Sequence, residues 1–148
     1  MDKLLIFETQ NWEVTHRRDS RYPGYLMASS LFEGSDLSEL PEGALLELGS
    51  VLAKAEAILM KAYSPYKVMV AKLGFSRGFR CHFHLIPATT TLLREIVAHP
   101  SYSDEPDGND TMLFVSREYC ERDLTDKEKE VIEQTVEWLR GSASGPMT

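Results

Sequence analysis

Apolar residues at positions 44, 45, 48, 51, 52, 55, 58, 59 and 62 recur at helical spacing and form a stripe wide enough to pack against a sheet. Pro41 stands ahead of the stripe, where a first helical turn tolerates proline, and Ser64-Pro65 closes it. The small side chains of Ala44, Ala55 and Ala62 on the stripe permit close approach to the sheet or to a symmetry mate. Before and after this helix the period shortens to that of strands. Leu4-Leu5-Ile6-Phe7 reads as a strand or a helical turn, Trp12-Glu13-Val14 alternates as a strand toward His16, and residues 25–31 and 66–73 supply two more strands. Gly74-Phe75-Ser76-Arg77-Gly78 is a five-residue, glycine-bracketed loop that leads into a further strand, so the segments on either side of it form an antiparallel hairpin.

The remainder of the chain alternates between caps and short apolar runs. Thr89-Thr90-Thr91 offers a hydroxyl cap to a short helix over residues 92–97, which His99-Pro100 stops. Residues 101–110 are acidic and turn-rich; Asp107-Gly108-Asn109-Asp110 lacks the spacing and the closing Glu of a calcium loop and reads as a surface loop. Met112-Leu113-Phe114-Val115 reads as a buried edge strand or an extended segment on the core. Thr125-Asp126-Lys127-Glu128 is a capping box, and Val131, Ile132, Val136 and Leu139 carry a last helix to Arg140-Gly141. Residues 141–148 have no apolar face and are expected to be a disordered tail. No internal repeat or linker interrupts the pattern. It predicts one α+β domain over residues 1–140, a twisted antiparallel sheet with one long helix and a C-terminal helix packed on it.

Composition narrows the classes. A chain of 148 residues with 43% hydrophobic content buries about two-thirds of its unfolded surface without disulfides or structural metal. Cys81 and Cys120 are expected to be free thiols, and neither sits in a CxxC pair. The first fourteen residues lack the basic start and apolar middle of a signal peptide, and no apolar run reaches the length of a membrane span, so a cytoplasmic protein is expected. A net charge of −7 argues against nucleic acid or an anionic membrane as partner. Small anions need only a local basic cluster. His16-Arg17-Arg18-Asp19-Ser20-Arg21, with three Arg against one Asp and closed by Pro23-Gly24, is either a solvated loop or such an anion-attracting edge.

The chemistry concentrates in Arg80-Cys81-His82-Phe83-His84-Leu85-Ile86-Pro87. On an extended strand Arg80, His82 and His84 share one face, each about 6.6 Å from the next, while Cys81, Phe83 and Leu85 occupy the other. Three readings compete. Both histidines are structural; or His82 and His84, with His16, hold a metal, a set too small for tight zinc without a carboxylate; or a neutral imidazole attacks phosphorus. The third suits the residue types, because His82 is flanked on its own face by His84 and Arg80, donors able to stabilise charge on phosphoryl oxygens. The glycines of the preceding loop would let backbone amides approach an anion.

His82-Phe83-His84-Leu85-Ile86-Pro87 resembles the second half of the histidine triad signature, and the element order over residues 12–87 is similar to that family's. The resemblance implies an antiparallel sheet of about five strands, a homodimer, and a nucleotide or dinucleoside polyphosphate substrate with no cofactor. It implies that His82 attacks the α-phosphate to form a nucleotidyl-histidine and that His84 contacts the phosphate and the leaving group, in a hydrolase or transferase acting on phosphoanhydrides or phosphoramidates. Arg80 stands in place of the first His, Ala88 follows Pro87 where the family often has Arg, and Ser76-Arg77-Gly78 replaces its small-polar loop. His16 lies near the position where some branches hold the ribose with Asn or Asp. Arg80, Arg77, Ser76 and His16 are therefore the expected substrate and phosphate contacts, with pocket walls from Leu5, Phe7, Trp12, Val14 and Leu26. The alternative is a nucleotide-binding or sensor module without turnover.

Overall fold

The computed structural model describes residues 2–144. Strands β1 (Leu5–Glu8), β2 (Trp12–His16) and β3 (Leu26–Ser30) are followed by a helix α1 (Glu42–Tyr63), strands β4 (Lys67–Ala71) and β5 (His82–Ala88), and helices α2 (Thr90–Ala98), α3 (Gly108–Tyr119) and α4 (Asp126–Ser144). The strands form one five-stranded antiparallel sheet in the order β1-β2-β3-β5-β4, the α+β architecture expected.

Strand parity decides what each face of the sheet carries. Trp12, Val14, Leu26, Ala28 and Leu85 point to one side, where Val51, Ala55, Ile58 and Leu59 of α1 and Val136 and Leu139 of α4 complete the main core. Trp12 is fully buried there and donates from Nε1 to the Ala44 carbonyl at 2.9 Å, tying β2 to the start of α1. Ala44 and Ala55 on the helical stripe are fully buried against this face. On the other side Ile86 joins Tyr22, Tyr25, Leu92, Ile96, Phe114 and Val115 in a second core beneath α2 and α3. That second layer stops short of the alternate residues of β2 and β3, and the uncovered area is the cleft described below.

Three expectations require correction. Residues 112–115 are helical, inside α3; Thr111, Phe114 and Val115 are buried at helical spacing, and Asp107 and Asp110 cap the helix reciprocally, with Asp107 N donating to Asp110 Oδ2 at 2.8 Å and Asp110 N to Asp107 Oδ1 at 2.9 Å. The segment around Asp107 is thus a helix start rather than a plain surface loop. The last helix does not stop at Gly141 but continues to Ser144, because Ala143 still packs against the main core and Arg140 fastens the turn to the carbonyls of Asp2 and Leu5; the rest of the expected tail, residues 145–148, lies outside the described residues. The connection before β5 spans residues 72–81 rather than five residues, since β5 pairs with β4 only from His84 onward while His82 and Phe83 pair with β3. The caps at Thr89 and Thr125 form as expected, each threonine hydroxyl accepting a backbone N–H three residues on.

Candidate active site

Parity also places the polar face. Antiparallel pairing sets His82 opposite Ser29 and His84 opposite Met27, and in turn Ser29 opposite Glu13 and Met27 opposite Thr15. These six side chains floor a cleft of about 670 Å³ whose rim comes from residues 16–19 at the end of β2 and in the β2–β3 connection, and from residues 74–76 and 78–80 before β5. Arg80, Ser76, His82, His84 and His16 all border it. Arg77 does not; it borders a neighbouring hollow with Ser35, Asp36 and Glu39. The expected walls are corrected by the same alternation. Trp12, Val14 and Leu26 lie under α1, on the far side of the sheet, and a one-residue change of parity moves the walls to Glu13, Thr15 and Met27.

His82 is anchored through one nitrogen. Its Nδ1 lies 2.8 Å from the Arg80 carbonyl, which can only accept, so Nδ1 carries a proton, and in the neutral ring Nε2 keeps its lone pair. Its ring is 5.1 Å from that of His84, centroid to centroid. Gly74 passes directly against it, for a Cβ at Gly74 would sit 2.9 Å from His82 Cε1. The bare Cα of Gly74 therefore leaves room for the ring. Gly74→Ala is expected to turn His82 off its Arg80 anchor at unchanged stability, read as a changed His82 ring signal in nitrogen-15 NMR. Gly49→Ala on α1, where nothing lies within 4 Å of the added carbon, is expected to leave that signal unchanged.

His84 is buried, and its Nδ1 lies 2.7 Å from the Tyr25 hydroxyl. Tyr25 Oη in turn accepts from Arg17 Nη1 at 2.7 Å, and Arg17 is braced by Asp19 Oδ1 at 2.7 Å while its guanidinium lies 4.8 Å from the Tyr25 ring centre. Burial, together with the neighbouring His82 and Arg17, pushes the His84 pKa down to about 4, so at neutral pH the ring is uncharged.

His16 is the expected contact that the structure corrects. It ends β2 fully buried, with Nδ1 donating to the Arg17 carbonyl at 2.9 Å and Nε2 accepting from the Gly24 amide at 3.0 Å. Neither nitrogen is free for a ribose, a phosphate or a metal. Gly24, at φ +87°, supplies the left-handed turn that aims its N–H at the ring. Among the described residues no group of three His, Cys, Asp or Glu side chains is arranged to hold a metal ion.

Burial holds the His16 pKa near 4, below its unfolded value of 6.5. Because the unfolded chain binds the proton more readily, stability from this group is complete above about pH 6.5 and drains as pH falls toward 4, by up to about 1.4 kcal/mol per pH unit. Urea unfolding across that window is expected to show the decline, and His16→Gln to lessen it by the share of this one group, His84, whose pKa is also lowered to about 4, still contributing its own.

The residues not anticipated from sequence are Tyr25, the alternate positions of β2 and β3, and two exposed aromatics, Phe75 and Phe79, on the rim. Arg17 and Arg18 belong to the basic segment read from sequence, and they do reach the cleft. No carboxylate among the described residues pairs with Arg18, Arg77 or Arg80.

No protein-family model matches the chain. No curated protein matches it either. Solved structures do. A HIT-like protein from Bartonella henselae superposes with a TM-score of 0.63 at 12% identity, covering 96% of this chain and 88% of that one. A histidine triad nucleotide-binding protein from Sulfolobus tokodaii gives 0.61 at 17% identity, covering 95% and 83%. A diadenosine triphosphate hydrolase from Plasmodium falciparum, in complex with cyclomarin A, gives 0.62 at 10% identity, covering 95% and 76%. The chain thus has the fold of the histidine triad proteins. No helix among the described residues is long and apolar enough to cross a membrane.

Proposed function

We propose that the protein is a divergent histidine triad enzyme, a nucleotide hydrolase or transferase that works through a nucleotidyl-histidine on His82. The observation that carries this reading is the Nδ1 anchor of His82, which in the neutral ring leaves the Nε2 lone pair as the nucleophile at the floor of a cleft beside Arg80 and His84. In the first step the Nε2 lone pair forms a bond to the α-phosphorus while the bond from phosphorus to the leaving group breaks and that group takes the bonding pair. Water then attacks the same phosphorus, the P–N bond breaks, and His82 is regenerated neutral as the nucleotide leaves and a proton passes to solvent. Arg80, with no ion-pair partner among the described residues, contributes positive charge where phosphoryl oxygens gather negative charge. Ser76 lies on the same rim as a hydroxyl donor. The exposed rings of Phe75 and Phe79 offer a base an apolar face.

Neither step of this mechanism passes through a metal. A homodimer is part of the same reading, supported by the edge position of β4 and the exposure of Tyr66 beside it. The test is turnover of a dinucleoside polyphosphate and of a nucleoside phosphoramidate, with nucleotide affinity measured in parallel. Release of nucleoside monophosphate from either substrate supports the reading. Tight nucleotide binding without product favours the sensor module instead.

A further inference from the structure

The Tyr25 hydroxyl has one hydrogen and two lone pairs. One lone pair accepts from Arg17 Nη1, and no acceptor other than His84 Nδ1 lies within reach of its hydrogen among the described residues. The hydrogen therefore goes to His84 Nδ1. A neutral imidazole that accepts at Nδ1 must carry its own proton at Nε2. The arrangement is held from behind: Asp19 fixes the Arg17 guanidinium, which lies over the Tyr25 ring, and Tyr25 is itself buried, with burial raising its pKa to about 12. The ring edge of Tyr25 stands against His84, 5.7 Å between centroids.

We propose that Tyr25, braced by Arg17, is a positioning residue that fixes His84 as a hydrogen-bond donor to the cleft and so directs the site to substrates whose leaving group departs as an anion. This rests on the function proposed above. A phosphate leaving group departs with the bonding pair and needs only a hydrogen bond to its oxygen. An amine leaving group must gain a proton as the P–N bond breaks. For His84 to supply that proton, its ring must either start as an imidazolium, with Nδ1 already occupied by the Tyr25 donor, or draw the phenolic proton after it. The geometry therefore favours phosphoanhydrides over phosphoramidates.

Two measurements on the full chain test this. Nitrogen-15 NMR of histidine-labelled protein at pH 7 reads the tautomer of His84 without any substrate. The expected result is the Nε2–H form in the wild type and a mixture of tautomers in Tyr25→Phe, which keeps the buried ring and loses only the hydroxyl; Arg17→Gln is expected to shift the same signal in the same direction. In kinetics, the ratio of kcat for a dinucleoside polyphosphate to kcat for a phosphoramidate of the same nucleoside is expected to fall about tenfold in Tyr25→Phe. An unchanged His84 tautomer in both variants overturns the role of Tyr25, even in an active enzyme. A shifted tautomer with an unchanged ratio overturns the leaving-group preference. If neither substrate turns over, the proposed function falls and takes the preference with it, while the NMR result still decides what Tyr25 does to His84.

Discussion

His82→Ala is expected to lower kcat on the order of 10⁵-fold while leaving nucleotide affinity within a few-fold of the wild type. The size follows from the role. A residue that only binds phosphate costs affinity when removed, whereas a residue that forms the covalent bond removes the whole reaction path and leaves little for its neighbours to rescue. The ring is half-buried at the floor of an open cleft and is held by one hydrogen bond, so its loss leaves the core untouched. His84→Ala is a useful contrast. It removes a donor rather than the nucleophile, and its cost should be smaller and should depend on the leaving group.

The second large effect lies on the opposite side of the sheet. Trp12→Ala is expected to destabilise the domain by about 3–5 kcal/mol, measured as a shift of the urea unfolding midpoint. Trp12 is fully buried, touches Phe83 with 6.3 Å between ring centres, and holds the Ala44 carbonyl. Domains of this size are stable by only about 5–15 kcal/mol, so the variant loses a large share of the total. Where it remains folded, its KM for nucleotide should be unchanged. A raised KM with normal stability would instead return Trp12 to the pocket wall.

That contrast shows what could be read from sequence. The alternation from Arg80 to Leu85 is legible because strand parity needs no tertiary knowledge, and it assigns Cys81 and Leu85 to the core and His82 and His84 to the cleft. Parity within β2 and β3 was equally visible, but which parity faces the histidines depends on the register across β3 and β5, a long-range property. The largest apolar side chains then marked the core instead of the pocket. Met112 to Val115 misleads by local preference, since its β-forming residues sit in a helix that Thr111, Phe114 and Val115 dock; the Asp107 and Asp110 box was the available signal. The extension of α4 past Gly141 rests on a single alanine contact and one arginine, too little apolar pattern to detect. His16 was expected as a contact because it lies near the position where some branches of the resembled family hold the ribose with Asn or Asp. Its burial, which consumes both nitrogens, appears only when Gly24 folds back onto it. Tyr25 carried no motif at all; its function comes from Arg17 eight residues before it and His84 fifty-nine residues after it.

On the proposed mechanism His82 Nε2 takes a nucleotidyl group. Rapid quenching of the protein with a dinucleoside polyphosphate, followed by peptide mass spectrometry under conditions that preserve the P–N bond, tests it directly. The expected result is a nucleoside monophosphate adduct on His82, absent from His82→Ala and accumulating before product reaches steady state. Product formation with no adduct on His82, or with the adduct on His84, would contradict it.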